Sequence, residues 1–446
     1  MSLSAAIGLI LPLAGVQVAE GLPPPEAEKA EVQSVTLSPA QMFELARQAE
    51  RAMDYDLAQS AYSALARNSD LQVRAEARFR HAMMLADSQQ EYAAAAVLLR
   101  EILDEQPDVA RVRIELARMQ LLLGNLRSAE KEFRAAQSSG LPPEVEQLVR
   151  FYTRSLANLK GFGLDLEFAL APDSNINRAT NSDTLGTIIG DFTLNDDAQA
   201  SSGVGLAVGG QAFAKTQVSK DAELVVRASA TANFFRESRF DDYSVFVQAG
   251  PLFRSGSDRL TLAAVSGWRW FGRIPFTFTY GANAELVHPL DARAQLRVNG
   301  AITHRIDRLN SLRSADTFAL SASIDRSISS RFGLGARVRA QRDAAEDPGF
   351  SNWIGGANLL AFREFGSTTM VLDLGYSRLE ADERLFLFPD RRTDNRYSAS
   401  LAGTFRALKI GKLAPFARFN YERNQSTVEI NDFSRFAAEF GFTAAF

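Results

Sequence analysis

Asp173, Asn175 and Asn177 alternate within "APDSNINRAT", the one-three-five spacing at which side-chain oxygens converge on a calcium ion. A complete calcium loop also needs a glycine at position six to turn sharply and a glutamate at position twelve to close the shell. Counting from Asp173, those places hold Arg178 and Thr184. The stretch therefore reads as an Asx-turn cluster, in which short side chains bond nearby backbone as a strand ends, and no metal is expected. Other reactive groups are scarce. The three histidines, His81, His288 and His304, are dispersed, and there is no cysteine, which removes disulfides, thiolate zinc sites and cysteine nucleophiles. No serine stands in a recognisable motif beside a histidine, so a nucleophile with a positioned base is missing. The chain reads as a non-enzyme without a cofactor. Its net charge of -4 offers no basic face for nucleic acid.

Elements of two different periods must hold these residues. The 446 residues, 46% hydrophobic and 23% charged, allow two or three domains with a sizeable core. Residues 1–21 read as a signal segment whose apolar core, Ala5 to Val18, is too short to span a bilayer as a helix. No Lys or Arg precedes that core, a departure from the usual pattern. Residues 22–40, rich in Pro and charge, read as a linker. Residues 41–160 carry helical spacing and an internal repeat. Ala61, Ala95 and Ala129 align at a spacing of 34 residues, as do Leu65, Leu99 and Phe133, and Ala49, Met83 and Ala117. Small residues in fixed columns let paired helices approach, and Pro107 and Pro142 mark helix ends. The pattern resembles tetratricopeptide repeats, closed by a further helix over "PEVEQLVRFYTRSLANL", and such arrays present concave surfaces to peptides or partner proteins.

At Gly161 the period falls to two. In "GFGLDLEFALA", Phe162, Leu164, Leu166, Phe168 and Leu170 alternate against Gly163, Asp165, Glu167 and Ala169. Fourteen such runs fit into 161–446, beginning near Gly161, Ser201, Ala222, Asp242, Asp258, Phe276, Ala292, Ala315, Arg331, Ser351, Thr368, Arg396, Lys412 and Phe433. The count is even, and compact turns such as "PLDA" and "EFGS" alternate with longer polar loops, "GRIP" excepted. Those are the habits of bacterial outer-membrane barrels, and closure is obligatory because a bilayer cannot hydrate an open strand edge. Aromatics gather at run ends (Trp268, Trp270, Tyr243, Tyr280, Tyr397, Tyr421), as an interfacial girdle would. The expected fold is thus α plus β in separate domains: tetratricopeptide-like helices, then a 14-stranded antiparallel transmembrane barrel. The terminal Phe446 resembles the signal by which barrels are handed to the insertion machinery.

With the apolar set facing outer-membrane lipid, the other set faces the lumen. It contains Arg227, Arg269, Glu285, Arg297, Arg337, Arg339, Asp373, Arg406, Arg418, Glu422, Arg435 and Glu439. Both signs suit either a wall network that fixes the barrel or a hydrated route for a polymer.

Helical repeats before a fourteen-run barrel, with "PDSNIN" (Pro172, Asp173, Ser174, Asn175, Ile176, Asn177) closing the first strand, resemble the surface lipoprotein assembly modifier (Slam) family. The resemblance implies a periplasmic helical domain, an outer-membrane barrel and the transfer of a client lipoprotein or secreted protein to the cell surface. It assigns the motif no role. Two rival readings are an exopolysaccharide export barrel, which should show clustered aromatic and acidic residues inside, and a diffusion porin, which has no use for the helices.

Overall fold

The computed structural model describes residues 37–138 and 162–444. The expected signal segment, most of the expected linker, the expected closing helix with Pro142, and Phe446 lie outside the described residues.

Six helices come first: α1 (Pro39–Arg51), α2 (Tyr55–Leu65), α3 (Leu71–Asp87), α4 (Tyr92–Glu105), α5 (Ala110–Leu123) and α6 (Leu126–Ser138). Their starts follow capping chemistry. Ser38 and Gln41 form a reciprocal capping box on α1, while Asp54 and Asp70 accept backbone N–H bonds at the heads of α2 and α3. Gly124 ends α5 at φ 87°, a left-handed conformation that a glycine adopts without Cβ strain. The repeat columns form the core: Ala61, Ala95 and Ala129 are buried between helices, as are Leu65, Leu99 and Phe133. The helices pack in sequence order, as tetratricopeptide-like pairs do.

The rest of the described chain is a closed antiparallel barrel of fourteen strands. They are β1 (Phe162–Asp173), β4 (Gly203–Ser219), β5 (Ala222–Phe235), β6 (Asp242–Ser255), β7 (Asp258–Phe271), β8 (Ile274–Pro289) and β9 (Ala294–Asp307). The ring continues with β10 (Ala315–Ser329), β11 (Phe332–Ala345), β12 (Asn352–Phe365), β13 (Thr368–Ala381), β14 (Thr393–Phe405), β15 (Leu413–Ser426) and β16 (Phe433–Ala444). Strict alternation sends the apolar set outward. Leu164, Val338 and Leu359 are each about three-fifths exposed (59%, 59% and 62%), as lipid-facing side chains must be. Tyr243 stacks on Trp270 at 5.5 Å, and Tyr376 meets Tyr397 at 5.3 Å, both near the long-loop rim.

Strand starts differ from the sequence expectation by three residues at most, the largest shift being Thr393 where Arg396 was expected. β8 starts at Ile274, two residues before Phe276, because Gly272 (φ 58°) and Arg273 (φ 66°) close the turn alone. The loop after β1 is not structureless: it holds a hairpin, β2 (Thr184–Thr187) with β3 (Gly190–Thr193).

Candidate functional site

Period-two alternation sets most of the expected polar residues on one face of the barrel strands, where several form cross-strand pairs. Arg227 on β5 lies in register with Gln248 on β6. Arg269 donates to Asp242 from Nε and Nη2 at 2.9 and 2.7 Å, and Arg297 donates to Glu285 at 2.9 Å. Asp373 accepts from Asn358 at 3.1 Å. Arg418 on β15 stands between Glu439 on β16 and Glu167 on β1, the latter 3.2 Å away. Glu422 gathers Arg396 at 2.8 Å, Arg178 at 3.5 Å and Arg435 at 3.7 Å. Arg337 and Arg339 point inward from β11 and are exposed to the lumen. Arg339, Asp373, Glu422 and Arg435 border a cavity of about 330 Å³. Arg406 lies elsewhere, in a single 3-10 turn after β14, at the short-turn rim.

That rim is where the helices dock. Glu364, the last inward residue of β12, is buried and meets Arg100 at 2.7 Å, Lys131 at 3.6 Å and Arg113 at 3.7 Å. Glu132 bridges the same two arginines, at 2.6 Å from Arg113 and 3.4 Å from Arg100. Burial disfavours the charge on Arg100, but Glu364, Glu132 and Asp104 outweigh it and hold the guanidinium above its usual range. Arg406 pairs with Asp104 at 2.8 Å and donates to the Gly366 carbonyl at 3.1 Å. Further pairs surround this centre: Lys412 with Glu91 at 2.8 Å, Arg134 with Gln295 at 2.8 Å, and Lys409 with Glu101. Val97 buries against Ala414, and Lys131 covers the Phe362 ring at 4.2 Å. The barrel side of these contacts comes from the ends of the β8–β9, β12–β13 and β14–β15 connections, all of them short. The helices therefore sit across one mouth of the barrel.

Sequence reading had no means of finding Glu364. It falls inside the expected turn "EFGS", and its partners lie more than two hundred residues earlier on helices. The one local signal is its parity, an acidic residue on the inward set two places after Phe362.

The "PDSNIN" motif occupies the opposite rim. Pro172 stands opposite Val204 on β4. Asp173 accepts from Arg435 Nε and Nη2 at 2.8 and 2.6 Å, joining β1 to β16. Ser174 N–H donates to the Phe436 carbonyl at 2.9 Å, and its Oγ accepts from Phe436 N–H at 2.8 Å. Asn175 is fully buried; its Nδ2 donates to the carbonyls of Ala179 at 2.9 Å and Ser434 at 3.1 Å. Ile176 N–H and Asn177 tie the loop back to Ser201 and Gln199. The polar side chains are thus engaged with backbone and arginine. Among the described residues there is no group of metal-binding side chains. Beyond the motif, the β2–β3 hairpin leans on neighbouring loops, with Ile188 N–H donating to Leu387 O at 3.1 Å and Gly186 N–H to Glu429 at 3.2 Å.

Comparison with known proteins adds two family matches. The tetratricopeptide repeat family matches residues 88–150, and the surface lipoprotein assembly modifier family matches residues 163–442. No curated protein matches the chain. Among solved structures, a bacterial polysaccharide outer membrane secretin aligns at 10% identity and TM-score 0.34, covering 63% of this chain and 98% of that one. Outer-membrane expressed OmpT of Vibrio cholerae aligns at 7% identity and TM-score 0.37, covering 64% and 98%. OpdK of Pseudomonas aeruginosa aligns at 12% identity and TM-score 0.35, covering 63% and 98%.

Proposed function

Since the chain belongs to the surface lipoprotein assembly modifier family and its barrel to the outer membrane, we propose that it receives a client lipoprotein on its helical repeats and passes it through the barrel to the cell surface. The observation that carries this reading is the docking of the helices on the short-turn mouth through Glu364, Arg100 and Arg113. Short turns of outer-membrane barrels face the periplasm, so whatever the repeats hold stands at the periplasmic entrance. α1 to α3 extend the array with a shared core, and Met53 and Leu57 are apolar and exposed there. The lumen supports passage of a polypeptide: its wall carries both charge signs in mutually paired sets, which solvate polar backbone without trapping one sign. The sequence carries no nucleotide-binding motif, so the energy for transfer comes from client folding, client binding or another machine.

The test uses cells fed an alkyne-tagged palmitate and then treated with external protease. Deleting the gene should move at least one palmitate-labelled protein from the protease-accessible to the protected pool, and the full chain should restore it. An unchanged labelled surface pattern after deletion would sink the reading. A benzophenone side chain placed at Leu57 of the full chain should capture that same labelled protein. Capture of none would remove the client-binding role of the repeats.

A further inference from the structure

The mutual pairing of the lumen wall has one exception, in the sector from β11 to β16. Arg337 and Arg339 stand two residues apart on the inward face of β11, about 7 Å along an extended strand. Both are exposed to the lumen, and among the described residues neither makes an ion pair or a hydrogen bond. Their cross-strand neighbours are Ser321 and Ser323 on β10 and Gly356 and Asn358 on β12, none of them acidic. Arg339 borders the cavity of about 330 Å³ together with Arg396, Arg435 and Glu422. A second space of about 140 Å³ shares Arg339, Ser377 and Arg396 with it and continues toward the long-loop rim, where Arg178 lines it. Glu422 is a single charge divided among Arg178, Arg396 and Arg435. Asp373, the other carboxylate at the larger cavity, accepts from Asn358. The sector is short of negative charge, and unanswered guanidiniums facing one small space repel one another. An anionic ligand removes that repulsion.

The "PDSNIN" motif sets one of these arginines. Arg178 has φ 50°, the left-handed region that strains a residue with a Cβ. Asn175, fully buried, holds that conformation by gripping the next residue at both backbone groups. Its Oδ1 accepts from Ala179 N–H at 3.0 Å, and its Nδ2 donates to the Ala179 carbonyl at 2.9 Å. Asn177 ties the same turn to Gln199 and Ser201. The turn brings the Arg178 guanidinium out of the loop to within 3.5 Å of Glu422 on β15. Backbone strain of this kind persists where surrounding bonds over-determine it, and it clusters at ligand sites.

We propose that this sector binds the carboxylates of an extended acidic stretch of polypeptide, and that the motif completes the site by setting Arg178 into the lumen, with Asn175 as the positioning residue. Guanidinium forks match carboxylates bidentately, and Ser377, Ser398 and Ser400 offer hydroxyl donors around the same space. Ligand sites run from about 300 Å³ upward, so this one takes side chains and not a folded domain. The two spaces follow one another from mid-height to the rim, so successive carboxylates of one chain meet Arg339 and then Arg178. That the chain is a client in passage rests on the transfer function proposed above; the arginine site itself does not.

The test uses the full chain in nanodiscs and fluorescein-labelled octaglutamate, with octalysine as the opposite charge and free glutarate as a small dicarboxylate. Octaglutamate should bind and octalysine should not. Arg339→Gln and Arg178→Gln should each weaken octaglutamate binding about tenfold, the worth of one hydrogen bond between charged groups. Arg305→Gln removes a lumenal charge from β9, outside the sector, and should leave binding at the parent level; an equal loss there would reduce the effect to bulk charge and overturn the site. Asn175→Ala added to Arg178→Gln should bind as Arg178→Gln alone does, because a positioning residue acts through the side chain it places. Additive losses would overturn that role. Unheated gels report the folded barrel in each variant, and Arg178→Gln keeps the site testable if Asn175→Ala fails to fold. Equal binding of the two peptides, or parent-like octaglutamate binding by both arginine variants, overturns the site. Glutarate that competes on equal terms per carboxylate assigns the site to a free small anion and overturns the peptide. Failure of the transfer function is distinguishable: gene deletion that leaves display of labelled protein unchanged removes that function while the binding result stands. Absent octaglutamate binding with deletion-sensitive display removes the site alone.

Discussion

Glu364 is a carboxylate placed where two arginines and a lysine from another domain converge, with almost no water to share the charge. Removing it with Glu364→Ala leaves Arg100 and Arg113 buried with only part of their counter-charge. Breaking such a pair costs roughly 3 kcal/mol or more. The expected outcome is a lower urea midpoint for the helical circular-dichroism signal of the full chain in vesicles, with the heat-modifiable gel mobility of the barrel unchanged. An unaltered midpoint would mean that Glu364 does not hold the helices. His81 makes a different claim. It is buried beside Tyr62, whose ring stacks on it at 6.1 Å, and its Nε2 has no hydrogen-bond partner. Burial lowers its pKa from 6.5, with Glu101 opposing weakly. The unfolded chain therefore takes up this proton first as the pH falls through 6.5, and the folded helices resist it. Stability of the helical array is complete above pH 6.5 and declines as acid approaches the folded value. His81→Phe should flatten that decline when urea midpoints are compared on either side of pH 6.5; a slope that survives the substitution would assign it to other groups.

Among the elements, the seam between β1 and β16 is sensitive to added bulk. A Cβ on Gly441 would stand 2.0 Å from the Phe168 carbonyl oxygen and 2.9 Å from the Ala169 Cβ, so the two strands touch only because this residue has no side chain. Gly209 on β4, opposite Glu167, has open space where its Cβ would go. Gly441→Val should lower the temperature at which the folded gel band is lost, and Gly209→Val should leave it near that of the parent. Equal shifts for both would argue against a tight contact at the seam. The strands themselves were legible in the sequence because period-two alternation is imposed on every run by lipid outside and polar lumen inside. The β2–β3 hairpin was not, since "TLGT" and "GDFT" lie in a solvated loop and carry no one-sided pattern. Nor was the rim position of Arg406, because a single 3-10 turn continues the strand's polarity for a few residues without its geometry. The repeat columns Ala61, Ala95 and Ala129 were readable, since close helix approach demands small residues at fixed places. The contacts those helices make with the barrel were not, because they join residues remote in sequence.

Over the barrel, the larger part of the molecule, the usual sense of inside and outside is reversed. Leucine and valine face out, and arginine faces in. Val338 is an outward residue flanked by Arg337 and Arg339, which face the lumen. Val338→Arg should cost about 2–4 kcal/mol near the bilayer midplane, although the same side chain is native one place either side. The folded fraction on unheated gels after refolding into vesicles measures it, and normal refolding would contradict the lipid-facing assignment. The helices meet the barrel through residues from several connections at once: Gln295 at the start of β9, Glu364 at the end of β12, and Arg406, Lys409 and Lys412 after β14. Each of these residues is answered by a specific charge or polar group on the helices. The two halves are consequently not interchangeable parts. A chimera that joins these helices to another barrel of the same strand number inherits mismatched charges along the whole rim, and restoring it requires transplanting the turns together with the helices.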